Sequence, residues 1–223
     1  MQKTKKSSPT LTEEMALFEQ GYCFIAGLDE AGRGCLAGPV VAAAVILPLE
    51  SDPTPVLARF AGVNDSKQLN EATRERLYDV IMEHALAVGV GIGSVEMIDQ
   101  RNILQATLQS MRVALTQLTP TAQALLLDAV KLRDIPLPQL SLTKGDSRCL
   151  SIAAASIIAK VTRDRLMHQL HEEFPLYGFK QHKGYGTPEH LDALKQFGVT
   201  PYHRRSFSPI REMLFGLFPD TAI

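Results

Sequence analysis

The chain has 223 residues, of which 45% are hydrophobic and 21% charged, and its formal net charge is −1. These values are near the globular average, so they argue against wholesale disorder, and the length fits one ordinary domain with or without a small appendage. Residues 1–130 hold 10 Lys and Arg against 15 Asp and Glu, whereas residues 131–211 hold 13 against 7. A basic C-terminal half can steer a polyanion to one face, although ordinary surface helices also produce such a difference.

The three cysteines and the N-terminus predict a cytoplasmic protein. Cys23, Cys35 and Cys149 are odd in number and lack metal-ligand spacing, so we expect no disulfide framework and a reducing compartment. Residues 1–10 are polar and lysine-bearing and lack the apolar core of a signal peptide. No run approaches the roughly 18 apolar residues of a membrane helix, so we expect no membrane attachment.

The first elements in chain order are a helix and two strands. Thr10 stands three residues before Glu13, which is the spacing of a capping box at a helix start. Residues 22–28 and 40–47 are strand candidates joined by a glycine-rich turn, and the second is apolar on both faces, as expected of a strand covered on both sides.

The middle of the chain predicts a loop, two helices and a strand. Residues 48–55 are proline-bounded and read as a loop, after which Asn70 is a cap for a helix to about residue 85. Residues 86–93 form a glycine-rich strand candidate, and residues 94–118 predict one long helix.

The second half continues with short strands and then helices. The segments 124–127 and 140–143 are apolar strand candidates, and residues 147–173 predict a long helix. Thr187 and Pro188 predict the start of a helix that Gly198 ends, and Ser208 with Pro209 predicts a last helix in the same way.

This order of elements predicts an α/β fold with a mixed central sheet flanked by helices on both faces. We divide the chain into an N-terminal tail and helix over residues 1–20, a catalytic domain over 21–173, and a small C-terminal helical extension over 174–223.

Four carboxylates stand at or just after the carboxyl ends of predicted strands: Asp29, Glu30, Asp128 and Asp146. Sites in α/β sheets form outside such strand ends, so the four side chains are expected to converge. Close carboxylates repel one another and raise one another's pKa unless a cation neutralises them, so convergence predicts a site for two divalent metal ions that activate water.

Each of these acids also has a plainer interpretation. Asp146 directly precedes the helix predicted over 147–173, where Asp is commonly an N-cap. Asp128 can simply end a strand, and the stretch Asp29–Gly34 can be a solvated junction between a strand and a turn. Only the set of four favours a metal site.

Arg33 lies between Gly32 and Gly34, directly after the first two acids. The glycines remove side-chain bulk, so a nucleic-acid strand can approach the backbone there closely. An acidic metal site beside such a loop indicates phosphodiester chemistry.

Seven blocks of the sequence, in family order, resemble ribonuclease HII over about residues 20–212. The blocks are Asp29–Gly34 with Ala37–Val40, Asp65–Leu69, Leu126–Asp128, Lys144–Ser147, Ser151–Asp164, His182–Thr187 and His203–Phe207. The resemblance implies an RNase H-like fold and metal-dependent hydrolysis of RNA that is hybridised to, or embedded in, DNA. Cleavage is then expected on the 5′ side of a ribonucleotide, leaving 3′-hydroxyl and 5′-phosphate ends.

The resemblance also implies roles for individual residues. Asp29, Glu30, Asp128 and Asp146 match the acids that bind two Mg²⁺ or Mn²⁺ ions. The loop Gly32–Gly34 matches the segment that recognises the 2′-hydroxyl, which is the group that distinguishes RNA from DNA. Further matching or candidate substrate residues are Tyr185, expected to stack on the following deoxyribose, and Ser66, Lys67, Lys144, Lys183 and Arg204, expected near phosphates.

Several residues near these motifs have competing interpretations. Any single lysine can equally be a solvated surface charge, and Lys160 and Arg163 can form structural ion pairs. His182 and His203 are interpreted as packing or polar-network residues. The chain departs from the family pattern at Cys35, where proline is usual, and at Ala129, where glycine is usual. Alanine is strained there if φ is positive.

Two rival functions remain open. Ribonuclease HIII shares the catalytic blocks but carries an extra N-terminal domain, and about 20 residues precede the first predicted strand here. A non-catalytic protein that binds RNA–DNA hybrids is the second rival. We expect a monomer whose substrates are RNA–DNA hybrids and ribonucleotide-containing duplex DNA. The apolar segment 212–218 could contact a sliding clamp, but it lacks the glutamine of such motifs, so a helix closing on the core is favoured.

Overall fold

The computed structural model describes residues 8–215, which form a central sheet and surrounding helices. The strands are β1 Ile25–Ala31, β2 Val40–Ile46, β3 Ala87–Gly93, β4 Ala124–Asp128 and β5 Gln139–Leu142. The helices are α1 Thr12–Phe18, α2 Thr54–Arg59, α3 Glu71–His84, α4 Val95–Arg101, α5 Ile103–Thr116, α6 Leu150–Glu173, α7 Phe179–His182, α8 Pro188–Phe197 and α9 Ile210–Leu214. Short 3₁₀ turns lie at Ser66–Gln68, Gly145–Ser147 and Pro175–Tyr177.

The five strands form one mixed sheet in the order β3-β2-β1-β4-β5. β1 to β3 are antiparallel neighbours, while β1, β4 and β5 run parallel. Since β1 and β4 are parallel neighbours, their carboxyl ends meet at the same edge of the sheet. The predicted mixed α/β sheet is confirmed.

Helices cover both faces of the sheet, which explains why β2 is apolar throughout. Val41, Ala43 and Val45 pack in a core with side chains of α3 and α6. The alternate residues of β2 pack in a second core with α5 on the opposite face. Gly91 permits the close approach of α5, because a Cβ there would lie 1.9 Å from the carbonyl oxygen of Ser110.

Two predicted elements have different boundaries in the structure. β1 continues to Ala31, so Asp29 and Glu30 lie within the strand rather than after it. The single helix predicted over 94–118 is wrong: α4 ends at Arg101, and Asn102, with φ of 68°, begins α5 instead. The Asn102 side chain caps α5 by accepting a 3.0 Å hydrogen bond from the Gln105 amide.

The caps at Asn70 and Thr187 are confirmed, because each side chain accepts a hydrogen bond from an amide of the first turn. The caps at Thr10 and Ser208 are wrong, since α1 begins at Thr12 and α9 at Ile210, both without a side-chain cap. The loop predicted over 48–55 gives way to α2 at Thr54.

The segments outside the predicted catalytic domain pack against it. α8 and α9 contribute Leu194 and Ile210 to a core that includes Leu36 and Met167. Glu14 of α1 is buried, and its Oε1 accepts hydrogen bonds from the Ser151 amide and hydroxyl at the start of α6. The division at residues 20 and 173 stays a prediction. Within residues 8–215 no helix is both long and apolar enough to cross a membrane.

Candidate active site

Asp29 and Asp128 are side by side at the carboxyl edge of the sheet. Leu28 of β1 is paired with Leu127 of β4, and each acid is the next residue of its strand. Glu30 follows on β1, whose last two residues are only partly buried whereas the preceding ones are buried. Two of the predicted acids therefore meet because of strand register, and a third is adjacent in sequence.

Asp146 reaches the same edge from the 3₁₀ turn Gly145–Ser147 that precedes α6. The Gly145 amide donates a 2.9 Å hydrogen bond to Asp128 Oδ1, which ties this turn to the end of β4. α6 begins at Leu150 and has Cys149 at its N-cap position without a side-chain cap. Asp146 is therefore not an N-cap, and its carboxylate is free for another role.

The four acidic side chains lie close enough to shift the pKa values of their neighbours. Burial, followed by the charge of Glu30, holds the pKa of the Asp29 carboxyl well above its ordinary value, and Asp128 adds to the effect. Burial and the Asp128 charge also raise the pKa of Glu30, while Arg33 lowers it. The pKa of Asp146 is raised by burial, then by Asp65 and Asp128.

Two of the acids have nearby cationic partners. Arg33 Nη1 lies 3.1 Å from Glu30 Oε1, and Lys67 Nζ lies 3.2 Å from Asp146 Oδ2. The Lys67 side chain is 72% exposed, so its ammonium sits at the solvent side of the acids. Both positive charges come from residues that the sequence assigned to substrate contact.

The donor chemistry of the site fits a hard divalent cation. All four side chains offer oxygen ligands, which Mg²⁺ and Mn²⁺ prefer. Glu30 Oε2 is buried without a hydrogen-bond partner, and a buried oxygen in this state is stabilised by a cation. Between residues 8 and 215, no three His, Cys, Asp or Glu side chains are arranged as the ligands of a single ion. The ligand assignment therefore stays a prediction.

A cavity of about 490 Å³ opens beside the acids. Its walls include Asp128 and Asp146, together with Lys67 and Lys144, so the two lysines reach the space next to the carboxylates. Asp65 also lines this cavity and raises the pKa of Asp146. Asp65 was not predicted as a site residue, although it stands in the block Asp65–Leu69 two residues before Lys67.

The glycine-flanked loop follows β1 directly. Gly32 has φ of 94°, whereas Gly34 has open space where a Cβ would stand. The Arg33 side chain is 45% exposed. The loop is therefore accessible from solvent next to Glu30, as its predicted role requires.

Tyr185 lies near this loop with 43% of its surface exposed. Lys160 Nζ is 5.9 Å from the centre of its ring. Burial of the hydroxyl raises the Tyr185 pKa, and the nearby Cys35 contributes after burial. The ring is available to a ligand, and the Cys35 thiol lies next to it in the interior.

Three residues predicted near phosphates are buried, and their polar side-chain atoms are bonded within the protein. Ser66 Oγ is 2.7 Å from Ser156 Oγ. Lys183 is 8% exposed, and its Nζ is bonded to His168 Nε2 and the Lys180 carbonyl oxygen. Arg204 is fully buried, and its guanidinium donates to backbone carbonyl oxygens.

The structural interpretations of Lys160 and His203 are confirmed, whereas that of Arg163 differs. Lys160 forms the expected ion pair, 2.7 Å from Asp164, whereas Arg163 donates to backbone carbonyl oxygens and not to a carboxylate. His203 is buried and bonded to Thr200 and His190, which confirms its place in a polar network.

The structure also bears on Ala129 and Cys35, where the chain departs from the family pattern, and on the expectation of free cysteines. Ala129 has φ of 54°, so the expected backbone strain is present. Cys35 and Cys149 are buried and Cys23 is exposed, and all three are free thiols, as expected.

Comparisons with known proteins agree with this geometry. The family model described as Ribonuclease HII matches residues 26–210. A protein of Bacillus cereus (strain Q1) named Ribonuclease HII is 54% identical over 201 residues, which are 90% of this chain and 75% of that protein.

Two solved structures have the same fold. Ribonuclease H2 of Pyrococcus horikoshii OT3 has a TM-score of 0.71 and 29% identity, covering 85% of this chain and 96% of that one. RNase HII of Archaeoglobus fulgidus, solved in complex with PCNA, has a TM-score of 0.68 and 28% identity, covering 83% and 95%. The family match, the relative's identity and the RNase H-like fold agree, and the chain belongs to the ribonuclease HII family.

Proposed function

We propose that this chain is a metal-dependent endoribonuclease that hydrolyses the RNA strand of RNA–DNA hybrids and nicks duplex DNA 5′ of an embedded ribonucleotide. The products are 3′-hydroxyl and 5′-phosphate ends, so the activity serves ribonucleotide removal and RNA primer degradation. Ribonuclease H activity on hybrids follows from the family. The observation that carries the finer proposal is the shared electrostatic neighbourhood of four acids beside an exposed glycine-flanked loop.

Asp29, Glu30, Asp128 and Asp146 would hold two Mg²⁺ or Mn²⁺ ions. The support is the oxygen-only donor set, the raised pKa of three of the carboxyls and the unpartnered Glu30 Oε2. When bound, such ions supply a water nucleophile at neutral pH and stabilise charge on the phosphate.

Lys67 and Lys144 are the candidates for contacts with the substrate backbone. Both line the cavity beside Asp146, and both are exposed. Lys67 neutralises part of the acidic charge through its 3.2 Å contact with Asp146. Because its side chain is exposed, the same ammonium can turn toward a phosphate that enters the cavity.

Gly32–Gly34 and Tyr185 are proposed to read the sugars. The open space at Gly34 lets a ribose approach the main chain, and main-chain groups can hydrogen-bond a 2′-hydroxyl. The exposed Tyr185 ring offers a face for the next sugar. A hydroxyl on that sugar would crowd the ring, which favours an RNA–DNA junction.

The wider context is also part of the proposal. We place the protein in the cytoplasm as a monomer, with residues 21–173 as the catalytic domain and 174–223 as a helical extension that helps to bind the duplex. The Archaeoglobus fulgidus relative was solved with PCNA, which supports a clamp contact for this family member. In this chain Leu214 and Phe215 are exposed at the end of α9, and residues 216–218 of the segment weighed for that contact lie outside the described residues.

Cleavage of a DNA duplex that carries one ribonucleotide tests the proposal. With Mg²⁺ or Mn²⁺ the protein should nick only the ribonucleotide strand, on its 5′ side, and EDTA or Asp29→Asn should abolish the nick. Asp192→Asn is the matched control, because it removes the same charge from an exposed position on α8. Undiminished cleavage by Asp29→Asn would refute the metal assignment.

The two rivals give different results in the same assay. A ribonuclease HIII activity would cut a long hybrid but leave the single-ribonucleotide duplex intact. A non-catalytic hybrid-binding protein would bind both substrates without metal-dependent turnover.

A further inference from the structure

The glycine-flanked loop is held from behind by two buried arginines. Arg163 of α6 and Arg204 are both 0% exposed, and the hydrogen bonds of their guanidinium groups go to main-chain carbonyl oxygens. A buried charge is costly to desolvate, and charge-assisted hydrogen bonds in a fixed planar geometry are what offset that cost. The planar geometry of each guanidinium also fixes the positions of the carbonyl oxygens that it binds.

Arg204 binds the loop that is proposed to read the ribose. Its Nη2 and Nη1 donate to the carbonyl oxygens of Gly32 and Arg33 at 2.7 and 2.9 Å. Further bonds go to the carbonyl oxygens of Gly38, at 2.9 and 3.0 Å, and Pro39, at 3.2 Å. Two carbonyls of the reading loop are therefore turned toward the interior. Within residues 8–215, the amides of Arg33 and Gly34 donate to no protein acceptor.

Arg163 joins residues 37–39, which follow the reading loop in the chain, to the segment that carries Tyr185. Its Nε and Nη2 donate to the carbonyl oxygens of Pro39 and Ala37 at 2.9 and 3.1 Å, and its Nη1 donates to that of Lys183 at 2.9 Å. The Pro39 oxygen accepts from both arginines. The reading loop and the Tyr185 segment are thus parts of one hydrogen-bonded unit.

Two glycines of this unit permit close contacts, Gly32 with the Arg163 guanidinium and Gly184 with the main chain. A Cβ on Gly32 would lie 2.0 Å from Arg163 Nε, and one on Gly184 would lie 2.5 Å from the Ala37 carbonyl oxygen. Both residues also have positive φ, of 94° and 80°. Gly32 is needed for the arginine as much as for the substrate.

We propose that Arg204 and Arg163 are positioning residues for ribonucleotide recognition: they touch no substrate, but they orient the free amides of the loop and fix its distance to Tyr185. This inference rests on the proposed function. Lysine cannot replace either residue, because a single ammonium cannot span several acceptors that a planar guanidinium bridges. The ability to distinguish a ribose from a deoxyribose therefore depends on these two side chains.

The test compares the affinity of the protein for two duplexes, measured in Ca²⁺ by fluorescence anisotropy. One duplex carries a single ribonucleotide, and the other is all DNA of the same sequence. We expect the wild type to bind the first at least about 10-fold more tightly. Arg204→Lys should bring this ratio to within about 2-fold of unity while affinity for the all-DNA duplex stays unchanged.

Two further variants separate positioning from stability. Leu77→Ala removes a buried side chain of α3 in a different core, and it should lower the melting temperature without changing the ratio. If Arg204→Lys does not fold, Phe207→Leu takes its place in the test. The Phe207 ring lies 5.1 Å from the Arg204 guanidinium, so the substitution should lower the affinity ratio about 2- to 5-fold.

The outcomes distinguish the inference from the proposed function. A wild type with no preference for the ribonucleotide duplex, and no cleavage, would reject the proposed function. A wild-type preference that Arg204→Lys, or Phe207→Leu in its place, keeps in full would overturn the positioning role. A ratio that falls in Leu77→Ala as far as in the arginine variant would also overturn it.

Discussion

The acidic edge of the sheet, with Asp29 and Glu30, lies next to the arginine-held loop, which is Gly32–Gly34 with the two arginines behind it. The buried charges of the two regions are balanced in opposite ways. Burial and mutual repulsion raise the pKa of Asp29, and Glu30 keeps a buried oxygen without a partner. Arg163 and Arg204 are equally buried but donate to carbonyl oxygens throughout. The first region is destabilised by its own charges, which a bound cation would offset, whereas the hydrogen bonds of the second are made within the protein. Neutralising a charge should therefore have opposite effects on stability in the two regions.

Arg163→Met should give the largest loss of stability. The substitution leaves the Ala37 and Lys183 carbonyl oxygens buried without their donor, so we expect the free energy of unfolding to fall by about 3 kcal/mol. For a chain of this size that is roughly 6–12 °C in melting temperature. Arg112→Met is the control, because its pair with Asp134 is exposed and should contribute below about 1 kcal/mol. Equal melting temperatures for the two variants would contradict the comparison.

His190 and His203, which lie next to the arginine-held loop, should make the stability of the protein sensitive to acid. Burial lowers the pKa of His190 and of His203 to about 4, from 6.5. Below pH 6.5 the unfolded chain binds protons that the folded chain does not, so stability falls as pH drops from 6.5 toward 4. The loss reaches roughly 2–3 kcal/mol per histidine.

Urea unfolding at several pH values checks this dependence. His203→Gln should flatten the fall in stability between pH 6.5 and 4, whereas His84→Gln at the end of α3 should leave it unchanged. The same slope in both variants would show that other groups cause the acid sensitivity.

Asp29→Asn should stabilise the metal-free protein while it abolishes cleavage. The amide removes a buried negative charge that Glu30 and Asp128 repel. We expect the melting temperature in EDTA to rise by about 2–4 °C, or about 1 kcal/mol. A lower melting temperature would mean that the acidic edge is not strained by its charges. Asp192→Asn, on the exposed side of α8, should change it by less than about 1 °C.

Ala129→Gly should give the smallest effect. Ala129 directly follows Asp128 with φ of 54°, and glycine removes the cost of that conformation. We expect a gain of about 0.5 kcal/mol after the entropy of the unfolded glycine is included. Ala72→Gly in the exposed first turn of α3 should instead lose up to about 1 kcal/mol. Chemical denaturation of both variants measures the difference.

Local signals in the sequence predicted much of the fold. Asn70 and Thr187 cap their helices because capping depends on a few neighbouring residues. The break at Asn102 was missed, although asparagine is a preferred N-cap and tolerates positive φ, because the apolar residues around it suggested one continuous helix.

The sequence predicted the acidic edge better than the substrate contacts. The strand register that brings Asp29 beside Asp128 follows from two apolar runs that each end in an acid. The burial of Ser66, Lys183 and Arg204 depends on groups up to 172 positions away in the chain, as in the bond from Arg204 to the Gly32 carbonyl oxygen. No local pattern distinguishes a buried arginine from one that meets a phosphate.

The central claim is that acids from separate parts of the chain form one cation site. Its most direct test is a titration with Mn²⁺ measured by isothermal titration calorimetry. The wild type should bind two ions per chain in the acidic edge, and Asp29→Asn should lose at least one of them while Asp192→Asn retains both. Identical binding by Asp29→Asn and the wild type would contradict the account.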